Sequence, residues 1–152
     1  MAKSYYSTIF EQAADQVWSI IRDFNSYPLW FEGVSESHIK GGKSGDAVGA
    51  IRDVRLGDSD IHHIQQKLAH SDLDRFFTYT FCKPFPYPLY NSETTMRVTP
   101  IVDGNRAFVE WWITFDCEAS EYDHWTTYFA HEVFAKGLKS LRTYLERKAP
   151  TR

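Results

Sequence analysis

The chain has 152 residues, 43% hydrophobic and 24% charged, which excludes a disordered polymer and is enough for one domain with a sizeable core. Its formal net charge of -3 gives no electrostatic pull towards nucleic acid. Aromatic residues make up 16%, a density at which rings fill a core, line a cavity or build an interface.

In chain order, Ser4–Phe10 reads as a first strand. Val17, Trp18, Ile21 and Phe24 then recur at helical spacing, and Asn25-Ser26-Tyr27-Pro28 breaks that helix. Leu29-Trp30-Phe31 reads as a second short helix or turn, ended by Gly33. Six strands are predicted next, near Ser35–Lys40, Val48–Leu56, Ile61–Ser71, Phe76–Cys82, Tyr90–Pro100 and Ala107–Cys117. The Gly41–Gly45 run, Gly57–Asp60, Ser71–Asp74, the Pro84/Pro86/Pro88 loop and Asp103–Asn105 separate them. Such short connections favour an antiparallel meander.

The sixth of these strands alternates strictly, with Val109, Trp111, Ile113 and Phe115 on one parity. Ser120-Glu121-Tyr122-Asp123 then matches a capping box. Trp125, Phe129, Val133, Leu138, Leu141 and Leu145 continue a helical pattern to about Lys148. A wide aromatic strand followed by one long helix suggests a curved sheet wrapped around that helix, with a pocket between them. The acids of Glu110–Asp123 and the bases of Lys136–Arg152 fall near the two ends of this helix, where they complement its dipole.

Parity selects the residues expected to face the pocket. Val48, Ala50, Arg52, Val54 and Leu56 share the more apolar face, so Arg52 points inward. A buried guanidinium needs a partner, either a protein acid such as Glu132 or the carboxylate or phosphate of a ligand. On the next strand His62, Ile64, Gln66, Leu68 and His70 are taken as inward. Phe77, Tyr79 and Phe81 follow, then Tyr90, Ser92, Thr94, Met96 and Val98. The mixture of rings with Arg52, His62, Gln66, Tyr79, Tyr90 and Thr94 is what a small-molecule cavity uses, although a filled core satisfying its own polar groups has the same pattern.

Motifs of chemistry are sparse. His131-Glu132 begins like a zinc-protease helix, but Ala135 stands where the second histidine belongs, and no metal site is expected. There is no nucleophile elbow, phosphate loop or dinucleotide fingerprint, so no cofactor is implied. His62 or Tyr79 could move a proton. The two cysteines, Cys82 and Cys117, fall on strands separated by another and are expected as free thiols. With no signal peptide and no long apolar run, the expected setting is the cytoplasm, without stable membrane insertion. Trp112, opposite Trp111 in parity, is expected outside and could serve a homodimer interface.

This order of elements resembles the helix-grip fold of the START-like (SRPBCC) superfamily, and the local sequence resembles its bacterial polyketide cyclase/dehydrase and lipid transport-type members. The resemblance lies in Ala13–Trp18 with Asp23-Phe24, Tyr27–Trp30, Gly45–Arg52, Leu68–Asp72, Tyr79–Phe81, Pro86–Tyr90, Val109–Trp111 and Gly137–Leu141. It implies an α+β fold: a seven-stranded antiparallel curved sheet around a long C-terminal helix, with two short helices after strand 1, as one domain over residues 1–152. It further implies a small hydrophobic ligand, lipid- or polyketide-like, and anionic if Arg52 meets its polar end, with cyclase or dehydratase chemistry as an alternative and a ligand-free interaction module as a second. Members often carry Glu where this chain has Gln66. To the parity set the resemblance adds Trp30 near the entrance and Phe129, Val133 and Phe134 on the helix. With Trp111 and Phe115 these complete the expected wall, gated by the Pro84–Pro88 loop and the Gly41–Gly45 turn.

Overall fold

The computed structural model describes residues 1–148; Arg152, counted above with the basic C-terminal segment, lies outside them. Strand β1 (Ala2–Phe10) leads into helices α1 (Ala14–Ile21) and α2 (Tyr27–Trp30). Six strands follow: β2 (Val34–Lys40), β3 (Ile51–Leu56), β4 (His62–Ser71), β5 (Phe76–Phe81), β6 (Tyr90–Ile101) and β7 (Arg106–Asp116). They form one antiparallel sheet in the order β1-β7-β6-β5-β4-β3-β2. β2 to β7 are therefore the expected meander. β1 pairs with β7 along its whole length, from Ala2 opposite Phe115 to Phe10 opposite Ala107. The α1–α2 segment carries the chain from one edge of the sheet to the other.

α1 buries Ala14, Val17, Trp18 and Ile21, one stripe of a 3.6-residue period, against the sheet. After α2 and β2, Gly41 and Gly42 adopt φ of 78° and 75°, left-handed angles that glycine takes without a Cβ clash. β3 begins later than expected, because residues 47–50 turn and Gly49 also takes a positive φ. Val48 is consequently exposed, not part of the inward row.

The C-terminal helix is one continuous run with three kinds of turn. A 3-10 turn (Ala119–Glu121) opens α3 (Tyr122–Tyr128), a π-helical segment follows over Phe129–Ala135, and α4 (Lys136–Lys148) completes it. The expected capping box does not form. The 3-10 turn gives the Glu121 N–H to the Glu118 carbonyl and the Tyr122 N–H to that of Ala119, so backbone takes the place of side-chain caps. Leu138, Leu141 and Leu145 lock α4 into the core, and Gly137 lets it approach the Trp111 ring.

The β7 alternation holds throughout: Ala107, Val109, Trp111, Ile113, Phe115 and Cys117 are all buried. Trp112 faces outward, as expected. It is half covered by the Tyr5 ring at 6.2 Å and by the Lys3 and Arg97 cations. Cys82 and Cys117 are free. No helix among the described residues is long and apolar enough to cross a membrane.

Candidate functional site: a cavity between the sheet and the C-terminal helix

A cavity of about 230 Å³ opens beneath the π-helical segment. Its deep end is sheet: Val54 of β3, Gln65 of β4, Tyr79 of β5 and Thr94 of β6, all nearly inaccessible. Phe129, Val133 and Phe134 of the helix form the facing wall, with Tyr27 and Phe31 on one side and His63, Phe81, Tyr87 and Tyr128 on the other. Exposed Glu32, Gly33, Leu56 and Glu132 surround the mouth, where Glu132 accepts from Lys136.

A pocket wall made from a π-helical stretch has a local cause. Wider turns set Phe129, Val133 and Phe134 towards the sheet together, and such segments recur at functional sites.

Polar groups are few and specific. The Tyr27 and Tyr79 hydroxyls share a hydrogen bond of 3.2 Å. Burial, then the neighbouring Tyr27 hydroxyl, pushes the Tyr79 phenol well above its ordinary pKa, so it stays protonated. The Thr94 hydroxyl is buried with no hydrogen-bond partner. The Trp111 indole N–H lies close enough to influence the Tyr79 oxygen but completes no hydrogen bond. Burial pulls His63 down to about 4, so its imidazole is neutral at pH 7. Tyr87 packs edge-on against His63 at 5.5 Å and its hydroxyl meets that of Tyr128 at 3.3 Å, closing one side of the cavity.

Arg52 lies just behind this site. Its guanidinium sits between the Phe24 and Tyr27 rings, 3.8 Å from each centroid, and 4.9 Å from that of Tyr79. Nε donates to Gln65 Oε1 and Nη1 to the Phe24 carbonyl, both at 2.7 Å, while Nη2 finds no partner.

Nearly the whole described chain matches one family. A model described as polyketide cyclase / dehydrase and lipid transport covers residues 1–146. The chain belongs to this polyketide cyclase/dehydrase and lipid transport family. Solved structures agree. XoxI from Bacillus cereus is 27% identical with a TM-score of 0.83, over 99% of this chain and 100% of its own. A protein from Thermobifida fusca is 25% identical with a TM-score of 0.85, over 100% and 99%. The di-domain ARO/CYC BexL from the BE-7585A biosynthetic pathway is 12% identical with a TM-score of 0.81, and shows the fold alone. The match spans 99% of this chain and 48% of BexL. No curated protein sequence matches.

Within this member of the family, the cavity gathers some expected residues and leaves others out. Tyr79, Thr94, Phe129, Val133 and Phe134 line it. Trp111 and Phe115 are fully buried behind the lining, Trp111 stacked on Phe134 at 5.0 Å and Phe115 5.9 Å from Phe129. Trp30 is also core, not entrance, its ring 6.2 Å from Trp111 and its N–H on Ser26. Arg52 points inward as expected, but it meets neither Glu132 nor the cavity surface.

Two inward assignments are overturned. On β4 the buried row is His63, Gln65 and Lys67, so His62 faces solvent and bonds Asp53 at 2.7 Å, and Gln66 lies on the outer face. Ile64 and Leu68 misled the parity argument, because this strand carries its polar residues inward, beside Arg52. On β6 Tyr90 is exposed. The ladder shifts register between Tyr90 and Glu93, with Asn91 at φ 53°, and that irregularity reverses parity ahead of Ser92. The residues missed are thus His63 and Gln65, one position from those chosen, together with Tyr87 and Tyr128. The Pro84–Pro88 loop reaches the cavity through Tyr87. The Gly41–Gly45 turn does not, for Gly45 instead packs by Phe24 and Lys67.

Proposed function

We propose that the protein binds a small hydrophobic ligand in the cavity between the sheet and the C-terminal helix. The observation that carries this reading is an aromatic-walled cavity with an unpartnered Thr94 hydroxyl at its deep end. A core folded only for stability satisfies such a group or replaces it with carbon. The family description, which names both cyclisation and lipid transport, supports ligand binding and is neutral between carriage and catalysis.

A catalytic reading keeps one of the two candidates that the sequence offered, Tyr79. His62 is outside, and no carboxylate lines the deep end. Among the described lining residues, neutral His63 and the Tyr27–Tyr79 and Tyr87–Tyr128 pairs are placed to exchange a proton with a bound molecule. Reversible binding is therefore the function we assign.

Native mass spectrometry of gently purified protein, followed by organic extraction, tests it. The expected result is a discrete added mass, or an apo protein that takes up one equivalent from a panel of small aromatic and acyl-chain compounds. A clean apo mass unchanged by the whole panel overturns the reading.

A further inference from the structure

The geometry points to β2 as a self-recognition edge. Two copies of this chain join through it as antiparallel neighbours, about a two-fold axis at His38, so that Glu36 of each copy stands opposite Lys40 of the other.

The sheet ends in β1 on one side and β2 on the other. β1 is tied to the C-terminal helix: Arg142 donates to the Ile9 carbonyl at 2.7 Å, and the Ser4 hydroxyl to the Thr126 carbonyl. β2 is open. Beyond its ladder with β3, no backbone N–H or carbonyl of residues 35–40 has a partner among the described residues. Such a strand presents unpaired donors and acceptors along one side, a template for another strand.

The usable edge is bounded at both ends. The β2–β3 ladder shifts register between Val34 and Glu36, an irregularity that bends the strand, and Gly41 and Gly42 turn the chain away at φ of 78° and 75°. Between them lies the regular stretch Glu36–Lys40, with His38 at its midpoint.

Charge then selects one register. Glu36, His38 and Lys40 are exposed on the outer face, while Ser37 and Ile39 turn to the inner one, where Ser37 bonds Asn25 at 2.7 Å. A two-fold antiparallel pair keeps faces matched, so its axis falls on a residue. Centred on His38, it sets two Glu36–Lys40 pairs side by side with the axis and Ile39 opposite Ser37. Centring on Glu36 or on Lys40 brings like charges together, and centring on Ser37 or Ile39 leaves the acid and the base without each other. An edge guarded only against pairing carries one sign of charge or a proline; this one is self-complementary, as an isologous contact requires.

Little is given up within each copy. Lys40 reaches Asp53 at 3.6 Å, and Glu36 reaches His38 at 3.8 Å and Arg55 at 3.9 Å, all beyond hydrogen-bond distance. One added strand pair is smaller than a standard interface, so the dimer is weak and concentration-dependent.

Sedimentation equilibrium of the full chain at low salt, from about 10 to about 500 µM, tests this, and a monomer–dimer equilibrium is expected. Glu36→Lys and Lys40→Glu should each weaken it at least about tenfold, because each sets like charges opposite one another twice. The first makes this acidic chain less charged and the second more so, so a loss shared by both does not come from net charge. The double variant exchanges the two charges and should return to within about threefold of the parent. An equimolar mixture of the two single variants should form a heterodimer, an all-basic edge against an all-acidic one. Thermal unfolding checks that each variant folds. Hydrogen exchange on the parent alone gives a second measurement, in which β2 amides should gain protection with concentration and β1 amides should not. A monomer throughout overturns the proposal. So does a dimer that neither reversal weakens, which would place the contact elsewhere, as around Trp112. Loss in the single variants without recovery in the double variant or the mixture overturns the register at His38.

Discussion

Arg52 and Lys67 stand on neighbouring strands, both almost wholly buried, and neither forms an ion pair among the described residues. Arg52 is held by two ring faces and two hydrogen bonds; desolvated cation–π contacts are worth about 2 kcal/mol each. Lys67 donates to the Gly45 carbonyl at 2.8 Å, the Arg22 carbonyl at 3.3 Å and His70 Nδ1 at 2.9 Å, and the His70 Nε2 side bonds Asp72 at 3.0 Å. Burial, reinforced by the Arg52 charge and opposed by Asp46 and Asp23, pulls Lys67 from 10.5 down to about 8. Between those values the unfolded Lys67 holds more proton than the folded one, so this residue contributes up to about 3 kcal/mol of stability as pH rises from 8 to 10.5, opposed by the Cys82 and Cys117 thiols and the Tyr79 and Tyr87 phenols, which burial keeps protonated. Urea unfolding of the parent and of Lys67→Met at pH 8 and 10 checks this: relative to Lys67→Met, the parent should gain stability between the two. His63 gives the acid counterpart. Its pKa falls from 6.5 to about 4 on burial, so the unfolded chain is again the better proton binder between them. Stability should therefore be lost as pH falls from 6.5 towards 4, and a His63→Phe variant should lose measurably less over the same window in the same assay.

At the scale of elements, what was legible in the sequence followed from how uniform each element is. β7 has one apolar parity and no irregularity, so its buried face could be read directly. β4 could not, because its inward residues are His63, Gln65 and Lys67, and the hydrophobicity that parity relies on lies on the other face. A further register shift between Lys67 and Ala69 then turns His70 back under cover. The π-helical segment had no sequence signal, since its apolar spacing differs little from that of an α-helix. Gly137 shows how closely that helix is seated. A Cβ there would stand 2.7 Å from a Trp111 ring carbon and 3.1 Å from Phe31. Alanine gains about 1 kcal/mol of helix propensity over glycine, but the rings are themselves packed and cannot retreat. Gly137→Ala should thus be net destabilising by about 1–2 kcal/mol, seen as a lower urea midpoint with an unchanged slope.

Across the whole molecule, the concave face of the sheet is divided in two. α1 and the turn after it bring Trp18 and Phe24 under β3 to β6, where Phe24 packs on Phe77, Tyr79 and the buried cations Arg52 and Lys67, and the space is filled. The C-terminal helix covers the other half and leaves the cavity. A ring added to the filled half would overpack it, at a cost of about 1–3 kcal/mol. The same ring added at Val133, on the helix wall, enters open volume and buries apolar surface, a gain on the order of 1 kcal/mol. Val133→Phe should therefore leave the apo protein as stable as the parent or more so, while weakening binding of a small hydrophobic ligand in the cavity at least about tenfold by occupying its space. Denaturant unfolding and calorimetry on one preparation read both quantities. Loss of stability together with loss of binding would mean that the helix and sheet already close on each other there, and the division into a filled half and a binding half would fall.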